Sequence, residues 1–568
     1  MTRQDYGGAS RRSERVVSAG MRIPYVDALA LLFFGLAALL LRSPTLLRSV
    51  IDWDESLYFL MAESWRAGNL PYTTLFDNKP IGIYAIFALF QCLFGDDIAS
   101  MRLASMVAVM ATAFFVYKIT DRIVPAETEA RYAFAGFAGI LYILCSVLNG
   151  GMASNTELFF SPFVCCALYM ALKRRPATRR PTVSSFLIGM VAGSACLVKP
   201  VAVFEAGAIV FALVHGGAVG QDFTAGGGHA VGNGVMYRAW RLTATSVRLG
   251  APFVLGIFFP VVLVVLLYAA ARQLPLLIET NVWANLRRIA DPFNAHRAAR
   301  TLAEQALCAP LYFGALLLFR DALYDVFFRN RSSTGWRPNA MRWLLVTWIA
   351  GAFTGVVVGK SFFPHFLLQP LPALCVATAW VLAQRLTGRR QHPAIHGGDG
   401  AAPIRLVLVF VVLGLASGAA AIAEGTLMPV SYHREDAGIG WLKDTPAQIA
   451  AAIAPELARS PEEILYVLDY EPIIYSLAHA APPTRYAFPP FLIDRHDAEL
   501  PGVDADQEVE RILARCPMFI VRTRDIQGPM DPLRRNDDVY RRVNREMTDR
   551  YVPVKQFPEA TLYRRVSC

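Results

Sequence analysis

The stretch DWDESLYF, Asp52 to Phe59, places three carboxylates within four positions: Asp52, Asp54 and Glu55. Carboxylates at that spacing can cap a helix, ligate a hard cation or accept a proton in a reaction. Asp52 followed by Glu55 three residues on is a capping-box pattern, and acids suit a helix N-terminus. Capping leaves Asp54 without a task. A metal at Asp52 and Asp54 is the weaker reading, because a cation held by carboxylates needs further oxygen ligands. Asp54 as a general base is the third reading, and a base works only where a substrate and its counter-charges can meet it.

The elements that would position these groups are membrane helices. The 568 residues are 55% hydrophobic and only 18% charged, with a mean hydropathy of +0.37, which excludes an ordinary soluble domain. The net charge of +10 does not call for nucleic acid, since Lys and Arg collect in the cytoplasmic loops of membrane proteins. Seven of the nine cysteines lie in apolar runs without metal spacing. Cys516 and Cys568 lie in the polar C-terminal region and could pair only in an oxidising compartment.

A span needs about 20 apolar residues. The sequence predicts eleven, near 25–46, 99–120, 132–149, 157–172, 183–199, 201–216, 251–271, 302–320, 342–359, 364–386 and 404–423. The run Ile81 to Gly95 reaches only about 22 Å as a helix and is read as lying at the interface. With that run excluded, the arginine-rich N-terminus and loops 173–181, 238–248, 329–342 and 385–390 all fall on the cytoplasmic side, and the C-terminus falls outside. The loop 272–300, external yet holding five arginines, departs from the rule and is marked as functional on that ground.

This topology gathers Asp52, Asp54, Glu55, Lys79, Arg102, Asn155, Glu157, Lys199, Lys360 and His365 on the outer side. Cations at the mouths of several helices, facing carboxylates, predict a cavity for an anionic ligand, and the natural anion at that depth is a lipid-linked phosphate. Each residue also has a plain structural role open to it: Lys199 and Lys360 can snorkel to the interface, and a lone His365 is more often structural.

The segment DWDESLYFLMAESWRAGNLPYTTLFDNKPIGIYAIFALFQCLFG, followed by MRLAS, resembles the first external loop of the GT-C membrane glycosyltransferases. The resemblance is closest to glycosyltransferase family 39, the protein O-mannosyltransferases and the bacterial lipid A aminoarabinose and galacturonic acid transferases. Its marks are Asp54-Glu55, the Gly68 to Tyr72 turn, Lys79-Pro80, Phe94-Gly95 and Arg102-Leu103, with SFFPHFLLQPLPAL as a later segment. Phe366 stands where a Tyr is common. The resemblance implies transfer of one sugar from a polyprenyl-phosphate donor to a lipid, glycan or protein acceptor outside the membrane, with inversion. Asp54 would be the base, and Glu55 would orient the acceptor or the neighbouring cations. Lys79, Arg102, Lys199, Lys360 and His365 would hold the phosphate, and Asp52, Asn155, Glu157 and Arg288 would line the acceptor side or the cavity. No cofactor is implied, and family 39 enzymes generally need no metal.

The expected fold class is a mainly α polytopic membrane protein with a small α/β domain at its C-terminus. Residues 1–24 are expected to be a cytoplasmic disordered tail, 25–425 the membrane domain with an external loop at 47–98, 387–403 a disordered loop, and 430–568 the extracytoplasmic domain. In the last, ILYVLD, MFIVRT, YVPVKQF and ATLYRRV read as strands, with helices at EPIIYSLA and DADQEVERILAR between them. Its role is open between acceptor recognition and structural support. The expected location is a bacterial inner membrane. Rival readings are a transporter or lipid flippase, and a membrane-anchored assembly or binding protein. The former is disfavoured by the absence of an internal repeat and the gathering of polar residues at one face.

Overall fold

The computed structural model describes residues 24–125, 128, 130–174, 180–215, 234–289, 295–327, 336–391, 444–524 and 534–568. The expected span 404–423, the N-terminal tail 1–23 and the boundary near 425–430 lie outside the described residues, as does most of the loop 387–403.

The membrane portion is helical throughout. In chain order it comprises α1 (Pro24–Arg42), α2 (Trp53–Arg66), α3 (Gly82–Phe94), α4 (Ile98–Ile123), α5 (Arg131–Cys145), α6 (Thr156–Lys173), α7 (Pro181–Val198), α8 (Ala206–His215), α9 (Gly234–Ala270), α10 (Ala284–Ile289), α11 (Ala309–Phe327), α12 (Trp336–Val358) and α13 (Leu371–Gln391). Seven segments among the described residues are long and apolar enough to cross a membrane: 25–47, 98–123, 156–173, 181–198, 243–270, 340–358 and 364–386. Each matches an expected span. The expected span 132–149 ends early, at Cys145, because Asn149 and Gly150 adopt left-handed backbone (φ 59° and 70°) and turn the chain. The segment 200–215 is likewise short and opens with a 3-10 turn at Pro200–Glu205. The span expected at 302–320 is displaced to α11, whose last turns carry Arg320, Asp321 and Asp325. The run 81–95 forms α3, of 13 residues, as its length demanded.

Two features lock the bundle. Helices α7 and α9 touch backbone to backbone: a Cβ at Gly189 or Gly193 would collide with the carbonyls of Phe253 or Ile257, and one at Gly256 with that of Phe186. In lipid, where burial of apolar surface gives little drive, such close packing of small residues is a main source of helix association. Behind α2, Arg102 of α4 donates two hydrogen bonds to Glu55, at 2.7 and 2.8 Å, both side chains being wholly buried.

The C-terminal part is α/β as expected. Strands β1 (Leu465–Val467), β2 (Phe519–Thr523), β3 (Tyr551–Gln556) and β4 (Ala560–Arg565) form one sheet in the order β1-β2-β4-β3. β1 pairs parallel to β2, with Leu465 opposite Phe519, while β4 runs antiparallel to both β2 and β3. Helices α14 (Thr445–Leu457), α15 (Ala505–Leu513) and α16 (Asp537–Arg550) flank it. Cys516 and Cys568 form a disulfide.

This part is seated on the loop after α1. Ser49 donates to Asp444 from its backbone (2.8 Å) and its hydroxyl (2.6 Å), Phe76 N donates to Arg485 O (2.8 Å), and Ser476 donates to Glu63 (2.6 Å). One apolar core runs from Phe34 and Trp348 in the bundle to Leu465 and Leu562 in the sheet. That seating closes a cavity between the two parts.

Candidate active site

The cavity, of about 770 Å³, lies between one end of the helix bundle and the α/β part. Asp52 and Asp54 line it, together with Lys79, Lys199, Arg288 and His365. Glu55, Arg102, Asn155, Glu157 and Lys360 do not.

Asp52 is the N-cap of α2, and the capping box is complete. Its Oδ1 accepts from Asp54 N at 3.2 Å, and Glu55 Oε1 accepts from Asp52 N at 3.4 Å. Glu55 has no spare valence: besides Arg102 it accepts from Ile51 N (2.5 Å) and Ser154 N (2.6 Å). The pair Glu55–Arg102 therefore fixes the start of α2 against α4 and the 150–154 turn from behind the cavity wall. Asn155 sits behind Asp52 and bonds it with its amide.

The Asp54 side chain takes no part in capping. Its Oδ2 accepts from Tyr58 OH at 3.0 Å and lies 3.4 Å from Lys79 Nζ. Lys79 also lies 3.8 Å from Asp77 and 5.3 Å above the Tyr58 ring. The loop bearing it is over-determined. Tyr72, held in a left-handed conformation (φ 72°) that a Tyr rarely adopts, donates to Lys79 O at 2.6 Å, and Tyr84 OH donates to Asp77 at 2.8 Å. Such strain persists only where the surroundings enforce it. The Gly68 to Tyr72 turn thus holds Lys79 in place.

Burial works against every charge here, and neighbours decide the outcome. Burial pushes the Asp54 carboxyl up, but Lys79, His365 and Arg288 outweigh it and leave the group below the usual carboxylate range. Burial pulls Lys79 down, and Asp54 with Asp77 more than offsets that. Asp52 is raised, by burial and then by Asp54, with no cation beside it to compensate. Lys199 is lowered by burial, incompletely offset by Glu157. Two aspartates two positions apart are therefore shifted in opposite directions, Asp54 down and Asp52 up.

Lys199, at the end of α7, is ion-paired to Glu157 of α6 and lies 4.0 Å over the Phe366 ring. His365 stacks on Phe363, ring centroids 5.6 Å apart and planes 4° apart. Lys199 and His365 sit on separate turns that Glu205 ties together, accepting from Trp348 Nε1 (2.7 Å) and Gln369 Nε2 (3.1 Å). Lys360, in left-handed backbone (φ 52°), belongs to the same turn as His365 but its side chain is not part of the cavity wall.

Arg288 enters from the anomalously basic loop 272–300. Asn285, on the same helix α10, exchanges hydrogen bonds with Asn78 (2.8 and 3.1 Å), which clamps α10 to the Lys79 loop. Asn281, Asn285 and Arg288 all line the cavity at i, i+4, i+7 spacing, a helical face that periodicity alone could have revealed. The wall from the α/β part, including Tyr470, Glu471, Phe488, Phe491, Asp494 and Arg534, had no motif to announce it. No group of three or more His, Cys, Asp or Glu side chains placed to hold a metal ion occurs among the described residues.

Residues 78–225 match the family described as dolichyl-phosphate-mannose-protein mannosyltransferase. The fold is similar over 94% of this chain and 98% of the other to ArnT from Cupriavidus metallidurans, solved bound to undecaprenyl phosphate, at 14% identity and a TM-score of 0.54. The apo state of that ArnT gives 14% identity, 94% and 97% coverage and a TM-score of 0.51. No curated protein matches the sequence. The chain is a polytopic membrane protein with a fold similar to that of ArnT. The matched segment overlaps the 50–105 motif region over residues 78–105.

Proposed function

We propose that the protein is a membrane glycosyltransferase that moves one sugar from a polyprenyl-phosphate donor to a hydroxyl acceptor on the outer side of the membrane. The observation that carries this reading is the placement of Asp54 3.4 Å from Lys79, with Arg288 and His365 lining the same cavity. The cavity's rim supports a lipid donor: Val203, Phe204 and Val358 line it and are about 36–45% exposed, an apolar opening toward the bilayer.

In this reading the acceptor oxygen attacks the anomeric carbon from the face opposite the phosphate. The acceptor O–H proton passes to Asp54 Oδ1 or Oδ2, the anomeric C–O bond breaks, and its electron pair leaves with polyprenyl phosphate. Lys79, Lys199 and Arg288 stabilise the phosphate as it gains charge. Phosphate is a good leaving group without protonation, so one base suffices and the anomeric centre inverts. The donor phosphate also draws Lys79 and Arg288 away from Asp54, which raises its proton affinity when a base is needed. No metal takes part. Glu55, Arg102 and Glu157 support the residues that touch the donor.

The reading includes a cytoplasmic N-terminus, a membrane domain over 25–425 and an extracytoplasmic α/β domain over 430–568 in a bacterial inner membrane. The Cys516–Cys568 disulfide supports the outer placement, since cytosolic thiols stay reduced. The test is incubation of the purified protein with polyprenyl-phosphate sugars and candidate acceptors, following acceptor-dependent release of polyprenyl phosphate. Transport of the intact donor across a vesicle without release would refute the proposal.

A further inference from the structure

The cavity has two walls of opposite charge. Its membrane-side wall presents four cations, Arg48, Lys79, Lys199 and Arg288, beside two carboxylates, Asp52 and Asp54, whereas the wall from the α/β part presents five carboxylates and one guanidinium: Asp444, Glu471, Asp494, Asp497, Glu559 and Arg534. Partners on this second wall are short. Arg534 is shared between Asp494 (2.9 Å) and Asp497 (3.3 Å). Glu559 accepts from Tyr470 OH (2.5 Å), and Asp444 accepts from Ser49. Glu471 has the Ser56 hydroxyl at 3.5 Å, and the charges around it are those of Asp52, Glu55 and Glu559, all acidic.

Aromatic rings stand among these carboxylates. Trp53 meets Phe488 edge-on, centroids 6.2 Å apart and planes at 88°, and Phe488 packs on Phe491 at 5.0 Å. All three line the cavity, and Trp53 is the residue before Asp54. The platform and the Asp54 carboxylate thus face one cavity.

We infer that this wall is the acceptor subsite and that it takes a neutral carbohydrate. The inference rests on the glycosyl-transfer reading above. Sugar rings offer apolar C–H faces to aromatic rings and a rim of hydroxyls that carboxylates accept from, which is what this wall provides. A phosphorylated acceptor would meet five carboxylates against two guanidiniums: Arg534, divided between two aspartates, and Arg48, which lies beside Asp444 and Glu559. Repulsion of the wrong ligand is as much a part of specificity as attraction of the right one. The segregation also keeps the two substrates in order: a phosphate is drawn to the membrane-side wall and a neutral sugar is left to the other. A volume of about 770 Å³ lies within the range of about 300–1,000 Å³ usual for ligand pockets.

The experiment uses the full chain in lipid nanodiscs saturated with undecaprenyl phosphate. Glucose and N-acetylglucosamine oligomers of one to four units, and the same sugars phosphorylated at the 6-position, are titrated and followed by saturation-transfer NMR. Neutral sugars are expected to bind, and their phosphorylated counterparts at least tenfold more weakly. Phe488→Ala and Glu471→Gln should each weaken the neutral sugars fivefold or more, with undecaprenyl phosphate binding and the melting temperature reporting that each variant is folded. Phosphorylated sugars binding as well as neutral ones, or neutral binding that is absent or insensitive to both variants, would overturn the inference while leaving the lipid-phosphate reading intact. Failure of the unmodified protein to bind undecaprenyl phosphate at all would instead overturn the transfer reading, and the acceptor role with it.

Discussion

The ammonium of Lys79 lies 3.4 Å from the carboxylate of Asp54, and the same carboxylate takes no part in the capping box that begins two residues earlier, at Asp52. Capping and catalysis, which compete for the same three acids in the sequence, are thus divided between them: Asp52 and Glu55 build the helix start and Asp54 is left free to react. Asp54→Asn should therefore lower transfer by about 10²–10⁴-fold, the usual worth of a general base, with donor binding and melting temperature nearly unchanged. Lys79→Met should instead weaken donor binding. Single-turnover kinetics separate the two, and an Asp54→Asn protein with full transfer activity ends the assignment.

Lys199 gives a second test, because its ion pair with Glu157 makes two outcomes separable. Charge-assisted contacts are worth about 1.5–3 kcal/mol, so Lys199→Ala should cost roughly ten- to a hundredfold in donor affinity. Glu157→Gln should cost less, and the double variant should show coupling of about 0.5–3 kcal/mol in a cycle. Lys360→Ala, whose side chain lies off the cavity wall, should change donor affinity little. Equal losses at Lys199 and Lys360 would contradict the geometry of the cavity.

Much of this was legible before the fold. The capping box is a local pattern, and local patterns survive folding: Asp52 and Glu55 occupy the cap and N3 positions that the spacing demanded. The four strands of the C-terminal part were readable for the same reason, as was the short helix α3. Arg102 was harder. Its place at the mouth of α4 suggested a phosphate ligand, but only the tertiary structure brings it to Glu55, 47 residues away. The wall containing Glu471, Asp494 and Arg534 lies about 400 residues from Asp54 in sequence and has no motif, because its function comes from being set opposite another surface. Span ends moved where single residues turned the chain, as Asn149 and Gly150 do after α5.

The Glu55–Arg102 pair carries a stability prediction that separates support from ligand binding. Removing one partner of a buried pair leaves an uncompensated charge and costs about 3–5 kcal/mol. Arg102→Ala should lower the melting temperature sharply, and Arg102→Ala combined with Glu55→Gln should recover part of the loss. Were Arg102 a donor ligand in contact with the phosphate, Arg102→Ala would abolish donor binding in a protein of normal stability, and the second substitution would restore nothing.

Asp52 links the site to pH. Burial and the neighbouring Asp54 raise its folded-state pKa above the unfolded value of about 3.9. The folded protein therefore holds this proton more tightly than the unfolded chain. The stability contributed in this way is fully present below the unfolded value and is lost as pH rises through the raised one. Asp52→Asn keeps the cap, since Asn caps a helix about as well as Asp, and it has no proton to lose. Thermal melts of the two proteins from pH 4 to pH 9 should converge at the acid end and diverge above it, Asp52→Asn becoming progressively the more stable. Groups remote from Asp52 titrate equally in both proteins, so the difference curve reports Asp52 together with Asp54 and Glu471, on which its charge acts. Parallel curves would show that Asp52 is ionised in the fold at every pH, and an opposite divergence would mean that an unseen cation neutralises it.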